Sequence, residues 1–154
     1  MKIDGTPFRT VWPDQQDGWS VHIIDQTKLP WTVEIVRLTT VEQAAHAIRA
    51  MQVRGAPLIG AVAAYGLALA LRADPSTDAM ERAATLLGAT RPTAVNLRWA
   101  LFRMQLRLRE LSGAARAAAA YEEAALIADE DVAQCRAIGE HGAALIEAIA
   151  TRRP

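Results

Sequence analysis

The sequence predicts an α+β fold that is mainly α: a small antiparallel β meander over residues 1–40, then a bundle of about five helices over residues 41–154, ending in a long one. Three observations carry this expectation. Short β-rich runs punctuated by Pro, Asp, Gly and Lys fill the first forty residues, which also hold three of the four tryptophans. From Thr40 onward, apolar residues recur at helical spacing. The chain is 51% apolar over 154 residues, enough for one sizeable core, and it contains no repeat and no Ser/Gly-rich linker.

The runs Phe8 to Trp12, Trp19 to Asp25 and Thr32 to Leu38 supply three strands. Thr40-Val41-Glu42-Gln43 reads as a capping box, and the first helix carries apolar positions Val41, Ala44, Ala45, Ile48 and Met51, with Gly55 as its end. Pro57 suits the first turn of a second helix, because its missing N–H would have no intrahelical acceptor there. This helix is apolar on every side and belongs in the middle of the bundle, with Gly60 and Gly66 among the small residues that admit close neighbours. Ser76, Thr77 and Asp78 are alternative caps for a third helix ending near Gly88. Leu97, Leu101, Met104, Leu108 and Leu111 mark the buried stripe of a fourth. From Ala114 to Ala150 the pattern runs on for about 55 Å if unbroken, with Gly139 and Gly142 as candidate bends. The closing Thr151-Arg152-Arg153-Pro154 reads as a domain edge.

Charge and composition exclude several classes. Seventeen basic and seventeen acidic residues cancel, so the whole-molecule field gives no reason to expect nucleic acid or an acidic membrane surface, and any anion site must be local. Cys135, the single cysteine, cannot form an intramolecular disulfide, and Met1-Lys2-Ile3-Asp4 does not open a signal peptide. Both features point to a cytoplasmic protein. The longest apolar run, Ala56 to Leu71, is shorter than the roughly 20 residues needed to span a bilayer and reads as a buried helix. No His/Cys/Asp/Glu spacing resembles a metal site, and neither metal nor cofactor is expected. His22 falls in a strand and His46 on the polar side of the first helix. Cys135 lies on the apolar pattern of the last helix and reads as a small buried hydrophobe; His141 reads as a packing or hinge residue, with accepting a proton or holding a neighbouring domain as the alternative. Glu122, Glu123, Asp129, Glu130 and Asp131 form an acidic region that suits a solvated or interdomain face. Arg98, Arg103, Arg107 and Arg109 suit a polar helix face.

One arrangement occurs twice: an arginine just before a Pro-initiated helix, in Arg54-Gly55-Ala56-Pro57 and in Arg91-Pro92-Thr93. A fixed positive charge then lies beside free backbone N–H groups and the positive end of a helix dipole, which together bind anions. Gly55 lets a phosphate oxygen approach the backbone, and a guanidinium grips phosphate through two parallel hydrogen bonds. A plainer reading of the same residues has Gly55 closing the first helix and both arginines solvated or paired with acids.

The segments Met51-Gln52-Val53-Arg54-Gly55-Ala56-Pro57-Leu58-Ile59-Gly60, Ala63-Ala64-Tyr65-Gly66, Arg91-Pro92-Thr93-Ala94-Val95-Asn96-Leu97 and Ala137-Ile138-Gly139-Glu140-His141-Gly142, with Asp25-Gln26 and Leu29-Pro30-Trp31, closely resemble the methylthioribose-1-phosphate isomerase family. The resemblance covers essentially the whole chain and corresponds to the amino-terminal part of that family, within a superfamily that includes initiation factor 2B regulatory subunits and ribose-1,5-bisphosphate isomerases. It implies that Arg54, Gly55 and Ala56 hold a sugar phosphate and that Arg91 contacts it from the start of the fourth helix. It implies conversion of an aldose 1-phosphate to a ketose 1-phosphate in methionine salvage. It further implies a carboxy-terminal Rossmann-like domain carrying the family's catalytic Cys and Asp, for which this sequence has no match, so that no catalytic residue is expected here and the chain alone is expected to be inactive. The complete protein is implied to be a homodimer. The competing readings are a non-catalytic regulatory or protein-interaction module, as in the initiation-factor relatives, and a ribose-1,5-bisphosphate isomerase-like protein.

Overall fold

The computed structural model describes residues 2, 3 and 5–152; Met1, Asp4, Arg153 and Pro154, and with them the proline of the expected domain edge, lie outside the described residues. Among the described residues, five short strands precede five helices: β1 (Lys2–Ile3), β2 (Thr6–Pro7), β3 (Val11–Pro13), β4 (Val21–Ile24), β5 (Ile35–Leu38), α1 (Val41–Arg49), α2 (Ala56–Ala73), α3 (Thr77–Gly88), α4 (Val95–Leu108) and α5 (Gly113–Ala150). β3, β4 and β5 form an antiparallel meander in that order, and β1 pairs with β2 in a small separate hairpin that sequence reading missed. The register places Val11, Ile23 and Val36 side by side on one face, with Val21 beside Leu38. That face joins the helical core, while Trp12, His22 and Arg37 share the other. The expected strands are longer than the observed ones: residues 32–34 stay out of the sheet, and Phe8 to Thr10 precede β3.

α2 lies at the centre. It is apolar all round and, by length and composition alone, long enough to cross a membrane, yet 72% of it is buried within the fold. α1, α3, α4, α5 and β3 all pack on it, which accounts for its composition without a lipid environment. Two glycines set how closely its neighbours approach. A Cβ on Gly66 would lie 2.8 Å from Ala44 Cβ of α1 and 3.1 Å from Leu87 Cδ2 of α3. A Cβ on Gly60 would lie 3.0 Å from the Asn96 carbonyl oxygen of α4.

Two helix boundaries differ from expectation. α1 stops at Arg49, six residues before Gly55, because Met51 takes the left-handed conformation (φ 59°). The Gln52 N–H then reaches the Ala47 carbonyl at 2.9 Å and the Met51 N–H that of Ile48 at 3.3 Å, the hydrogen-bond pair of a Schellman stop, with methionine where glycine is usual. Met51 is therefore exposed and leaves the buried stripe. At the other end, the Thr40 hydroxyl accepts from the Gln43 N–H as expected, but the Gln43 side chain accepts from Thr39 rather than Thr40. α4 begins at Val95, not at Pro92; residues 91–94 form a turn in which the Ala94 N–H donates to the Arg91 carbonyl at 3.0 Å.

α5 runs unbroken for 38 residues through Gly139 and Gly142. Its first half packs on α2 through Ala120, Ala124, Ile127 and Ala128, and beyond Asp129 nearly every residue is exposed. Cys135 is consequently exposed rather than buried, a correction with a simple cause: the apolar spacing around it faces no partner helix in this fold. Arg98 and Arg107 of α4, Arg109 at its end, and Glu122, Asp129 and Glu130 of α5 are exposed as expected, but Arg103 and Glu123 depart from the solvated faces. Arg103 donates to buried Glu123 at 2.5 Å and, through Nη2, to Glu130 at 2.8 Å, so these charges clamp two helices together.

Candidate functional site: a cleft at the starts of α2 and α4

Gly55, at φ 101°, caps no preceding helix; it is the N-cap of α2, and the Ile59 N–H closes the first intrahelical bond on its carbonyl at 3.0 Å. The N–H groups of Ala56 and Leu58 precede any intrahelical acceptor, and Pro57 has none to satisfy. α1 and α3 have hydroxyl caps on Thr40 and Ser76, whereas α2 and α4 start with no side-chain cap. Both uncapped starts open on one cleft of about 340 Å³, to which α2 contributes Pro57 and Gly60 and α4 contributes Val95, Asn96 and Trp99. Tertiary packing thus brings together two segments that lie some forty residues apart in the chain.

Arg54 sits three residues before Pro57, exposed, in the loop between α1 and α2. Arg91 is half-buried in the turn before α4, and the Arg98 guanidinium braces that turn by donating to the Pro92 carbonyl at 3.1 Å. Neither Arg54 nor Arg91 has an ion pair or side-chain hydrogen bond among the described residues, so neither guanidinium is committed to a carboxylate of the chain. Arg54 and Arg91 flank the segments that line the cleft and are not themselves in its lining.

The Arg54 loop is anchored by a residue whose role sequence reading did not see. The buried Asp25 carboxylate accepts from the Gln52 amide at 2.9 Å and from the Thr27 N–H and hydroxyl at 2.9 and 2.6 Å, and the Gln26 N–H donates to the Gln52 carbonyl at 2.8 Å. Burial is the largest single influence on Asp25 and raises its pKa. The Thr27 and Gln52 hydrogen bonds and the nearby Lys28 charge outweigh it, so the carboxyl titrates below its ordinary range. Asp25 and Gln26 occur in the family-like stretches, but only the fold shows that they tie the end of β4 to the loop carrying Arg54.

The third wall of the cleft comes from α5, through Ile127, Glu130, Asp131 and Gln134. Hydrogen bonds from Arg103 hold the Glu130 carboxyl below its ordinary pKa against the opposing effect of burial, so it is an anion and an acceptor across the neutral range. The cleft therefore has helix starts able to receive an anion on one side and carboxylates able to accept hydroxyl protons on the other. Cys135 lines a different cleft of about 570 Å³, between residues 7–11 and α2 and α5, where its Sγ lies 3.9 Å from Asp131.

A bundle built on a buried central helix, with two helix starts opening on one cleft, agrees with what known sequences show. The initiation factor 2 subunit family matches residues 52–151, and the chain belongs to that family. Within it, the chain is 68% identical over 153 residues to methylthioribose-1-phosphate isomerase of Acidiphilium cryptum, covering 99% of this chain and 42% of that protein. It is 60% identical, with the same coverage, to the isomerase of Methylorubrum extorquens. Among solved structures, 5-methylthioribose 1-phosphate isomerase from Pyrococcus horikoshii superimposes with a TM-score of 0.72 at 41% identity, over 80% of this chain and 36% of that one. Translation initiation factor eIF-2B, subunit delta, from A. fulgidus superimposes with a TM-score of 0.81 at 37% identity, over 90% and 42%. The chain spans about two fifths of the length of the curated relatives it matches.

Proposed function

We propose that this chain is the substrate-anchoring, amino-terminal part of an isomerase that converts 5-methylthioribose 1-phosphate to 5-methylthioribulose 1-phosphate in methionine salvage. The observation that carries the reading is the opening of two uncapped helix starts, each preceded by an uncommitted arginine, on a single cleft. The identity to isomerases over nearly the whole chain supports it. Arg54, with the N–H groups of Gly55 and Ala56, holds the phosphate, and Arg91 supplies the second cation. Glu130 and Asp131 face the sugar hydroxyls as acceptors.

The chemistry moves a proton between neighbouring carbons after the sugar ring opens, which calls for a general acid and a general base in a pocket closed to water. Nothing assigned here performs that step. In this reading the further length of the relatives supplies both groups on a Rossmann-like domain that covers the cleft, and the complete protein is a cytoplasmic homodimer. Isothermal titration with 5-methylthioribose 1-phosphate tests the anchoring role: the chain binds, and Arg54→Ala weakens binding roughly thirtyfold, the loss of a charge-assisted pair. Mixing the chain with the carboxy-terminal part of the Acidiphilium relative restores turnover. Equal activity restored by wild type and by Arg54→Ala would count against the assigned role.

The likeness to the initiation-factor subunit supports a second reading, a protein-interaction module without catalysis. Val95, Trp99, Phe102 and Leu106 follow one another along one side of α4, all exposed, and offer a surface for it. That reading requires a protein partner whose binding is indifferent to sugar phosphate.

A further inference from the structure

We propose that Gly60 is a positioning residue for the anion site, setting the distance between the Arg54 and Arg91 segments; the inference rests on the anchoring reading above. Gly60 is buried one turn into α2, where it meets the start of α4. A Cβ there would lie 3.0 Å from the Asn96 carbonyl oxygen, 3.5 Å from its carbon and 3.3 Å from Ala100 Cβ. The first two atoms are backbone and cannot rotate away. A methyl group at residue 60 must therefore displace the start of α4 from α2.

What is displaced includes the turn carrying Arg91. The Ala94 N–H to Arg91 carbonyl bond and the Arg98 guanidinium to Pro92 carbonyl bond fasten residues 91–94 to α4, so that turn moves with the helix. Arg54 and Gly55 remain with α2 through the Ile59 to Gly55 bond. The gap between the two segments widens by a few tenths of an ångström, enough to loosen the grip on a phosphate held from both sides. Gly66 offers an internal contrast. Its contacts are with Ala44 and Leu87, on α1 and α3, and neither belongs to the cleft.

The test is a double-mutant cycle on 5-methylthioribose 1-phosphate binding, read by titration calorimetry with thermal unfolding measured alongside. Gly60→Ala should weaken binding roughly tenfold, as should Arg91→Ala. The double variant should bind no more than about threefold more weakly than Arg91→Ala alone, because displacing an arginine already removed costs nothing further. Gly66→Ala should bind like wild type. Wild-type affinity in Gly60→Ala, multiplicative losses in the double variant, or loss of cooperative unfolding in Gly60→Ala would each overturn the positioning role. If Arg54→Ala binds like wild type, or the wild-type chain does not bind, the anchoring reading itself fails, whatever Gly60 does.

Discussion

Asp25 and Arg116 are buried charges, and each joins segments distant in sequence. The Arg116 guanidinium, in the first turn of α5, donates to the Leu108 carbonyl at the end of α4 at 3.2 Å and to the Pro75 carbonyl before α3 at 2.8 Å. A cation at its own helix start is unfavourable, but the carbonyl end of α4 offsets this. Asp25 does the same work for the Arg54 loop. Asp25→Ala leaves the Gln52 amide and the Thr27 groups without their acceptor and should cost about 1–3 kcal/mol at neutral pH, measured by chemical denaturation. The folded pKa of Asp25 is depressed, so its stabilising contribution is complete above the unfolded value near 3.8 and is lost as pH falls through the folded value. The stability gap between wild type and Asp25→Ala should therefore hold constant from about pH 7 to 5 and close on acidification below about pH 4. A gap that widened there would contradict the assignment.

At the level of elements, α2 couples to its neighbours through the absence of side chains. Gly66→Ala inserts a methyl group 2.8 Å from Ala44 Cβ, a short rigid side chain that cannot turn aside. The penalty for overpacking outweighs the helix-propensity gain of alanine, and a net loss of about 1–2 kcal/mol is expected in equilibrium unfolding. The same substitution at an exposed helical glycine, Gly139, meets nothing within 4 Å and should instead stabilise the outer stretch of α5 locally, slowing its amide exchange. The short α1 follows similar logic: its stop at Met51 leaves residues 52–55 free to form the loop that presents Arg54 ahead of α2.

Across the whole molecule, stability is distributed unevenly along α5. Residues 119–128 are mostly buried against α2 and α4, while Ile138, Leu145, Ile146 and Ile149 are more than half exposed. Most helical stability in proteins comes from packing an apolar face on neighbouring elements, which the outer half of α5 lacks, so it should open independently of the bundle. Amide hydrogen exchange should be about a hundredfold or more faster beyond residue 133 than over residues 119–128. Uniform protection along α5 would show that the outer half is packed against something.

Helical periodicity, the Thr40 cap and the composition of α2 were legible because each depends on residues within a few positions of one another, where backbone geometry alone connects spacing to structure. Arg54 was legible in the same way, as a charge just ahead of the α2 start, whereas Arg91 lies in a turn before α4 rather than immediately before it. Sequence alone did not reveal that Met51 would take a left-handed conformation, that α4 would begin three residues after Pro92, or that Cys135 would lie outside the core. Those outcomes turn on which surfaces meet, and so on contacts such as Gly60 against Asn96 and Arg103 against Glu123 and Glu130. Local spacing determined the helices and their charged starts; only the packing around α2 decided that two of those starts share one cleft, because their separation in space is set by side-chain volume at residues far apart in the chain.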